Sequence, residues 1–229
     1  MTIPVAIEAS AVPSRWCASR RAVSRVGGVA AVLGAAAAFT VASHTHGLAH
    51  LARFAGGYSP ARLAAGHVWT LPLSAFLLGH PKMLGPTSVM FGMLFLPYTM
   101  LRGIGRAGIT GMAGHVVSTL LVAVVVLPAA ALGSADATRV VHAPDYGASA
   151  ALAACAGGLT VLLARRHRIG GIVLPMLVAG YFLVHLAAVH QSAANVADVE
   201  HLVAFGTGAL VEWRILVHGS LLPRPRPRA

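Results

Sequence analysis

The chain has 229 residues, of which 57% are hydrophobic and only 10% are charged, and its mean hydropathy is +0.76. This composition excludes an average soluble domain. A formal net charge of +11 would suggest a nucleic-acid partner in a soluble protein, but here the arginines stand in short clusters between apolar runs. We therefore expect no nucleic-acid partner and interpret the arginines as topology signals in a lipid bilayer.

Six apolar runs follow one another along the chain, separated by charges or by clusters of Pro and Gly. A bilayer core about 30 Å thick needs roughly 20 apolar residues per helix, so we interpret each run as a membrane-spanning helix. The predicted spans are 26–43, 86–101, 108–133, 146–164, 170–190 and 199–218. The sequence thus predicts an all-α membrane protein, a six-helix transmembrane bundle in one domain.

The basic residues test this assignment, because Lys and Arg near helix ends are retained on the cytoplasmic side. If the N-terminus is cytoplasmic, 13 of the 17 basic residues fall inside. The four outside are Arg53, Arg62, Lys82 and Arg139. We therefore expect a multi-pass protein of the plasma membrane with both termini cytoplasmic. Its membrane domain, residues 26–218, lies between a basic tail, residues 1–25, and a Pro/Arg tail, residues 219–229.

Residues 44–85 form a long outer segment between the first two predicted spans. About 40 residues are too many for a simple turn and too apolar for a disordered linker, so we expect the segment to pack on the bundle. Its residues His46 and His50 share a helix face and could bind a metal. No Cys or carboxylate lies near them, so we favour an interfacial role and predict neither a metal site nor a cofactor.

Ser149 lies at the start of the fourth predicted span, and His201 lies near the start of the sixth. The predicted topology puts both positions on the outer side of the bilayer at similar depth. A serine hydroxyl becomes a nucleophile when a neighbouring base accepts its proton, so a Ser and a His in hydrogen-bond reach form a minimal acyl-transfer unit. Small neighbours such as Gly206 and Gly208 would let the two helices approach closely.

The sequence around this serine, Gly147-Ala148-Ser149-Ala150, resembles the Gly-x-Ser-Gly motif that begins the fourth helix of the rhomboid family of intramembrane serine proteases. The family has six spans and carries a His on the sixth. Its membrane-embedded first loop is similar to residues 69–76, WTLPLSAF. By this resemblance the chain is a divergent bacterial member of the family.

The resemblance implies that Ser149 is the nucleophile and His201 the general base of a Ser-His dyad. Gly147, Ala148 and Ala150 would form the rest of the motif, and the backbone N–H of Ser149 would contribute to an oxyanion hole. The implied activity is that of a serine-type endopeptidase, which cleaves membrane-anchored protein substrates near the outer leaflet without a cofactor.

The sequence departs from the family pattern at the oxyanion residues. Ala150 replaces the second motif glycine, and the His and Asn of the family's second helix align with Thr87 or Ser88 and with Phe91. Losing one oxyanion donor typically costs ~100- to 1000-fold in rate. The alternative reading is therefore a catalytically inactive rhomboid-like membrane protein that binds transmembrane helices as partners.

His115 and Thr119 imitate the family's His-x-x-x-Asn pattern, but they fall in the third predicted span instead of the second. We interpret this match as false. A histidine inside a membrane span needs a polar partner, so the sequence predicts that His115 is buried and hydrogen-bonded to a neighbouring helix.

Three carboxylates lie near the predicted outer ends of the fourth and sixth spans and could have a part in catalysis. Asp145, Asp198 and Glu200 could orient the catalytic imidazole as a third triad member does. We favour simple solvation at helix starts, where carboxylates also suit the helix dipole. Glu212 lies deeper, and we expect it to pair with Arg214 near the cytoplasmic face.

Overall fold

Helices make up most of the structure. The computed structural model describes residues 15–44, 57–78, 81–145, 147–166, 173–178, 180 and 192–219. Within these ranges there is no strand, and an isolated antiparallel bridge joins Tyr58 to Asp145. The all-α expectation is therefore confirmed for the described part of the chain.

Among the described residues, five long helices dominate the fold: α1 Arg15–His44, α4 Leu84–Arg102, α5 Ile104–Ala131, α7 Ser149–Arg166 and α8 Ser192–Gly219. Short helices are found at α2 Pro60–Ala64, α3 Thr70–Ser74 and α6 Ala135–His142. Residues 173–178 are also helical. Helix α4 contains a π-helical turn at Phe91–Phe95, which ends two residues before Pro97, whose ring nitrogen carries no proton to donate within the helix.

The long helices coincide with five of the six predicted spans, and most of the remaining one, 170–190, lies outside the described residues. The observed helix ends differ from the ends of the predicted spans. Helix α1 begins at Arg15, so part of the predicted basic tail is helical, and α8 begins at Ser192 rather than at 199. Hydropathy detects the apolar part of a helix, whereas helical backbone continues through polar residues that tolerate it.

The outer segment packs on the bundle as expected over its described residues, 57–78 and 81–85. Helix α3 contacts α5, and Tyr58, Leu71 and Leu77 are buried. The phenol of Tyr58 donates a hydrogen bond to the backbone oxygen of Thr119, 3.3 Å away. Burial raises the pKa of this phenol, which keeps it protonated as a donor. His46 and His50 lie outside the described residues.

Helix α6 was not predicted. Its start is capped by Ser134, whose hydroxyl accepts a hydrogen bond from the backbone N–H of Ala137 at 3.3 Å. Its apolar face, with Val140 and Val141, packs on Val122 of α5. The helix is too short and too polar to resemble a membrane span, so a hydropathy pattern alone does not detect it.

Two of the described helices, α4 and α5, are long and apolar enough to cross a membrane. Helix α7 is made mainly of small residues and α8 carries several charges, which lowers the hydropathy of both. Crossing by all six predicted spans therefore stays a prediction.

Glycines bring α5, α7 and α8 into backbone contact. A Cβ on Gly208 would lie 1.8 Å from the backbone oxygen of Ala154, and a Cβ on Gly157 would lie 1.9 Å from the backbone oxygen of Phe205. Only glycine permits this approach, as expected for membrane helices.

Helices α7 and α8 run parallel. Asp145, just before α7, lines a cavity together with Glu200 of α8, and Arg165, near the end of α7, lies over the ring of Trp213. Both residue numbers rise from the first pair to the second, which is the order that a parallel pair of helices gives.

Candidate functional site

Gly147 gives the chain a sharp entry into α7. Its φ is +128°, a conformation that L side chains rarely adopt, and its N–H donates to the backbone oxygen of Ser74 at 3.0 Å. The backbone oxygen of Ala148 then accepts from the N–H of Leu152 at 2.8 Å, which begins the helical hydrogen bonding. Ser149 therefore lies at the first residue of α7, with its side chain partly exposed.

The first turn of α7 has the electrostatics that an oxyanion needs. The first N–H groups of a helix have no acceptor within that helix, and the helix dipole places partial positive charge there. The N–H groups of Ser149 and Ala150 belong to this turn. The side chain of Ala150 is buried in a cluster between α7 and α8 with Ala153, Ala154 and Ala204. A methyl group is thus packed where the rhomboid motif has glycine.

A small cavity of about 40 Å³ lies beside this turn. Ala148 lines it on one side, and Thr87, Ser88 and Phe91 of α4 line it on another. The two hydroxyl residues are the ones that align with the family's oxyanion-holding His. Hydroxyls can donate hydrogen bonds, so this wall of the cavity is not wholly apolar.

His201 lies at the same end of the helix pair as Ser149. The contacts between α7 and α8 join residues 48 to 55 positions apart, which puts Ser149 at the level of residues 197–204. The side chain of His201 is half-buried. Among the described contacts no hydrogen bond joins the Ser149 hydroxyl to the His201 ring, so the dyad stays a prediction. Catalytic hydrogen bonds are often longer before substrate binds.

His115 is buried as predicted, with 0% of its surface exposed. Its Nε2 lies 2.9 Å from the backbone oxygen of Leu71 and 3.0 Å from the hydroxyl oxygen of Ser74, both in α3. The predicted bond to a neighbouring helix is confirmed. A carbonyl oxygen only accepts, so Nε2 carries the proton. Ser74 and His115 are therefore not a second nucleophile and base, because the nitrogen facing Ser74 is already protonated.

Ser74 connects the two sides of the site. Its hydroxyl contacts His115 on α5, and its backbone oxygen accepts from Gly147, two residues before Ser149. One residue of α3 thus fixes both the entry to α7 and the ring of His115. The sequence showed Ser74 only as part of the rhomboid-like loop, and nothing local to it signals this contact.

The expectation of simple solvation is wrong for two of the three outer carboxylates. Glu200 is 7% exposed and Asp198 is 4% exposed. The carboxylate of Glu200 accepts a hydrogen bond from the hydroxyl of Thr119 at 2.8 Å. The two acids stand two positions apart and point to nearly opposite sides of α8, so this part of the helix is covered on both sides, which a sequence position near a helix start does not reveal. The backbone N–H of Asp145 donates to the backbone oxygen of Tyr58 at 2.7 Å.

A second buried polar group, the inner cluster, consists of Tyr98, Arg102, Thr110 and Glu212. The phenol of Tyr98 donates to Glu212 at 2.7 Å, and Arg102 forms an ion pair with the same carboxylate. Because the phenol proton goes to Glu212, the hydroxyl of Thr110 donates to Tyr98 across 3.2 Å. The expected pair of Glu212 with Arg214 is wrong. The cation that pairs with Glu212 is Arg102 of α4.

Metal ligands do not gather in the described ranges. Within them, no group of three or more His, Cys, Asp or Glu side chains could hold a metal ion. The outer histidines His46 and His50, for which a metal was considered, are not among the described residues.

Comparison of the chain with known protein families, with curated proteins and with solved structures finds no match. The family resemblance of the sequence therefore rests on its own residues, on the motif around Ser149 and on the position of His201.

Proposed function

We propose that the chain is a rhomboid-like intramembrane serine protease that cleaves membrane-anchored proteins. The observation that carries the proposal is the parallel contact of α7 with α8, whose register brings Ser149 and His201 to one level at one end of the helix pair. The sequence motif suggests Ser149 and His201 as candidates, and the packing of α7 on α8 supports a similar depth for the two residues.

The proposed setting is a bilayer crossed by six helices, with both termini cytoplasmic. Helix α5 supports the bilayer setting, because its polar residues face the protein interior and its large apolar residues face outward. Its buried face carries polar and small residues such as Thr110, Gly114 and His115, whereas Ile109 and Val124 are 70% and 67% exposed. Water would penalise such a surface, and lipid would not.

In the proposed reaction the Ser149 oxygen attacks the carbonyl carbon of the scissile peptide bond, and His201 takes the hydroxyl proton. Negative charge then develops on the carbonyl oxygen near the first-turn N–H groups of α7. When the C–N bond breaks, His201 returns its proton to the leaving amine. A water molecule, deprotonated by His201, releases the acyl group as a carboxylic acid and restores Ser149.

The direct experiment is proteolysis in reconstituted vesicles. The purified chain and a single-span substrate protein are mixed in lipid, and cleavage is followed by gel and mass spectrometry. We expect cleavage by the wild type, none by Ser149→Ala, and wild-type cleavage by Ser134→Ala, a matched change at the outer cap of α6. Cleavage that survives in Ser149→Ala would reject the assignment of the nucleophile.

A second function, binding of transmembrane helices without cleavage, is favoured by a specific observation. Ala150 and Phe91 occupy positions where the family has oxyanion residues, and the methyl group of Ala150 is packed between α7 and α8. Crosslinking separates the two functions. A binding protein captures partner helices equally well as wild type and as Ser149→Ala, whereas a protease retains more substrate once the nucleophile is removed.

A further inference from the structure

The ring of His115 contains a buried atom for which the fold provides no partner. The residue is fully buried, and its Nδ1 has no hydrogen-bond partner in the structure. A buried polar atom left unpaired costs about 1 to 3 kcal/mol, so such atoms often mark a function.

The opposite side of the ring determines the chemistry of this atom. Nε2 donates its proton toward Leu71 and Ser74, which fixes the neutral ring in the tautomer with hydrogen on Nε2. Nδ1 therefore carries a lone pair and can only accept a hydrogen bond.

Helix packing brings the turn of α5 that holds His115 next to the turn of α8 that holds His201. The neighbour of His115, Gly114, approaches α8 so closely that a Cβ on it would lie 3.3 Å from the backbone oxygen of Ala204. Ala204 follows His201 by three residues, so the two share one face of α8.

We propose that His115 is a positioning residue for His201: its Nδ1 accepts a hydrogen bond from one water molecule, which in turn accepts a hydrogen bond from the ring N–H of His201. The inference rests on the proposed function, which it deepens. With one nitrogen of His201 held as a donor, the other is unprotonated and can take the proton of Ser149. His115 thus has the orienting part that a carboxylate has in soluble serine hydrolases.

Two acidic residues lie close to His201 along the chain: Asp198, three residues earlier on the same side of α8, is a buried competing acceptor, and Glu200 is the adjacent residue. The carboxylate of Glu200 already accepts from Thr119, and adjacent residues of a helix point about 100° apart. His115 approaches instead from a different helix. Because a neutral acceptor stabilises a protonated imidazole less than a carboxylate does, the arrangement orients His201 with little effect on its basicity.

The first arm of the test measures how fast a fluorophosphonate probe labels Ser149 in the full-length protein in detergent. His115→Phe keeps a ring but removes the acceptor, and misorientation of a catalytic group can cost roughly 100-fold, so we expect a loss of that order. His115→Asn keeps an acceptor at the Nδ1 position and should restore most of the rate. Thr110→Val, which removes a buried hydroxyl elsewhere on α5, should label like the wild type.

The second arm is independent of activity. Nitrogen-15 NMR of histidine-labelled protein reports which ring nitrogens carry protons. We expect His115 to be protonated on Nε2 and His201 to hold one tautomer in the wild type, and His201 to exchange between tautomers in His115→Phe. Unchanged His201 signals in that variant would overturn the inference. If the signals respond but the wild type is never labelled, the contact stands and the proposed protease function fails.

Discussion

Glu212 shows how a buried charge selects its partner in this protein. The sequence offers Arg214 as the nearest cation, but residues two apart on a helix point to nearly opposite sides. The carboxylate is instead held by Tyr98 and Arg102, both from α4, and is 0% exposed. The sequence predicts that Glu212 needs a partner, whereas its identity depends on which helix packs against α8.

Replacing Glu212 by Ala should destabilise the protein strongly. Removing one partner of a buried ion pair costs about 3 kcal/mol or more, since the other charge is left without compensation. Arg214→Ala is the control on the same helix, and we expect a change within about 0.5 kcal/mol. Reversible unfolding in mixed micelles measures both. Equal stability of Glu212→Ala and the wild type would contradict the role of the inner cluster.

Gly147→Ala should disturb the entry to α7. A Cβ there meets no atom closer than 3.8 Å, so the cost arises from the φ of +128° and amounts to about 1 to 3 kcal/mol. We expect lower stability and slower probe labelling of Ser149. Gly27→Ala, at a helical position with open space, is the matched control. A Gly147→Ala protein with normal stability and labelling would show that the turn is not needed.

At the scale of elements, the sequence predicts the helices better than their contacts. Apolar runs located all five described long helices, because a bilayer requires long uncharged segments. The short helix α6 was missed since it depends on a cap at Ser134 and on packing against α5. The sequence placed Ser149 and His201 at similar depth, but the contribution of Ser74 comes from a distant part of the chain, which local patterns do not report.

Two glycines on α8 provide a direct test of the α7–α8 contact. Gly208→Ala puts a Cβ 1.8 Å from the backbone of Ala154, and such overpacking should cost about 2 to 3 kcal/mol and slow the labelling of Ser149. Gly206→Ala meets nothing within 4 Å and should be neutral or slightly stabilising. Thermal unfolding measures the difference. Equal effects of the two changes would mean that α7 and α8 are not held at this contact.

For the whole molecule, the inverted polarity of α5 and the distribution of basic residues predict how the chain crosses the membrane. Asp136 should lie outside and Arg166 inside. In a background with Cys17→Ser and Cys155→Ala, a membrane-impermeant maleimide should label Asp136→Cys in intact cells. It should label Arg166→Cys only after the membrane is opened. Labelling of both in intact cells would contradict the proposed topology.

The measurement that bears most directly on the central claim is labelling of the reconstituted wild-type protein with a fluorophosphonate, compared with Ser149→Ala and His201→Ala. If the hydroxyl at the start of α7 is activated by the imidazole on α8, the wild type becomes labelled at Ser149 and both variants lose the label. An unlabelled wild type, or a label that persists in His201→Ala at the full rate, would contradict a Ser149–His201 dyad.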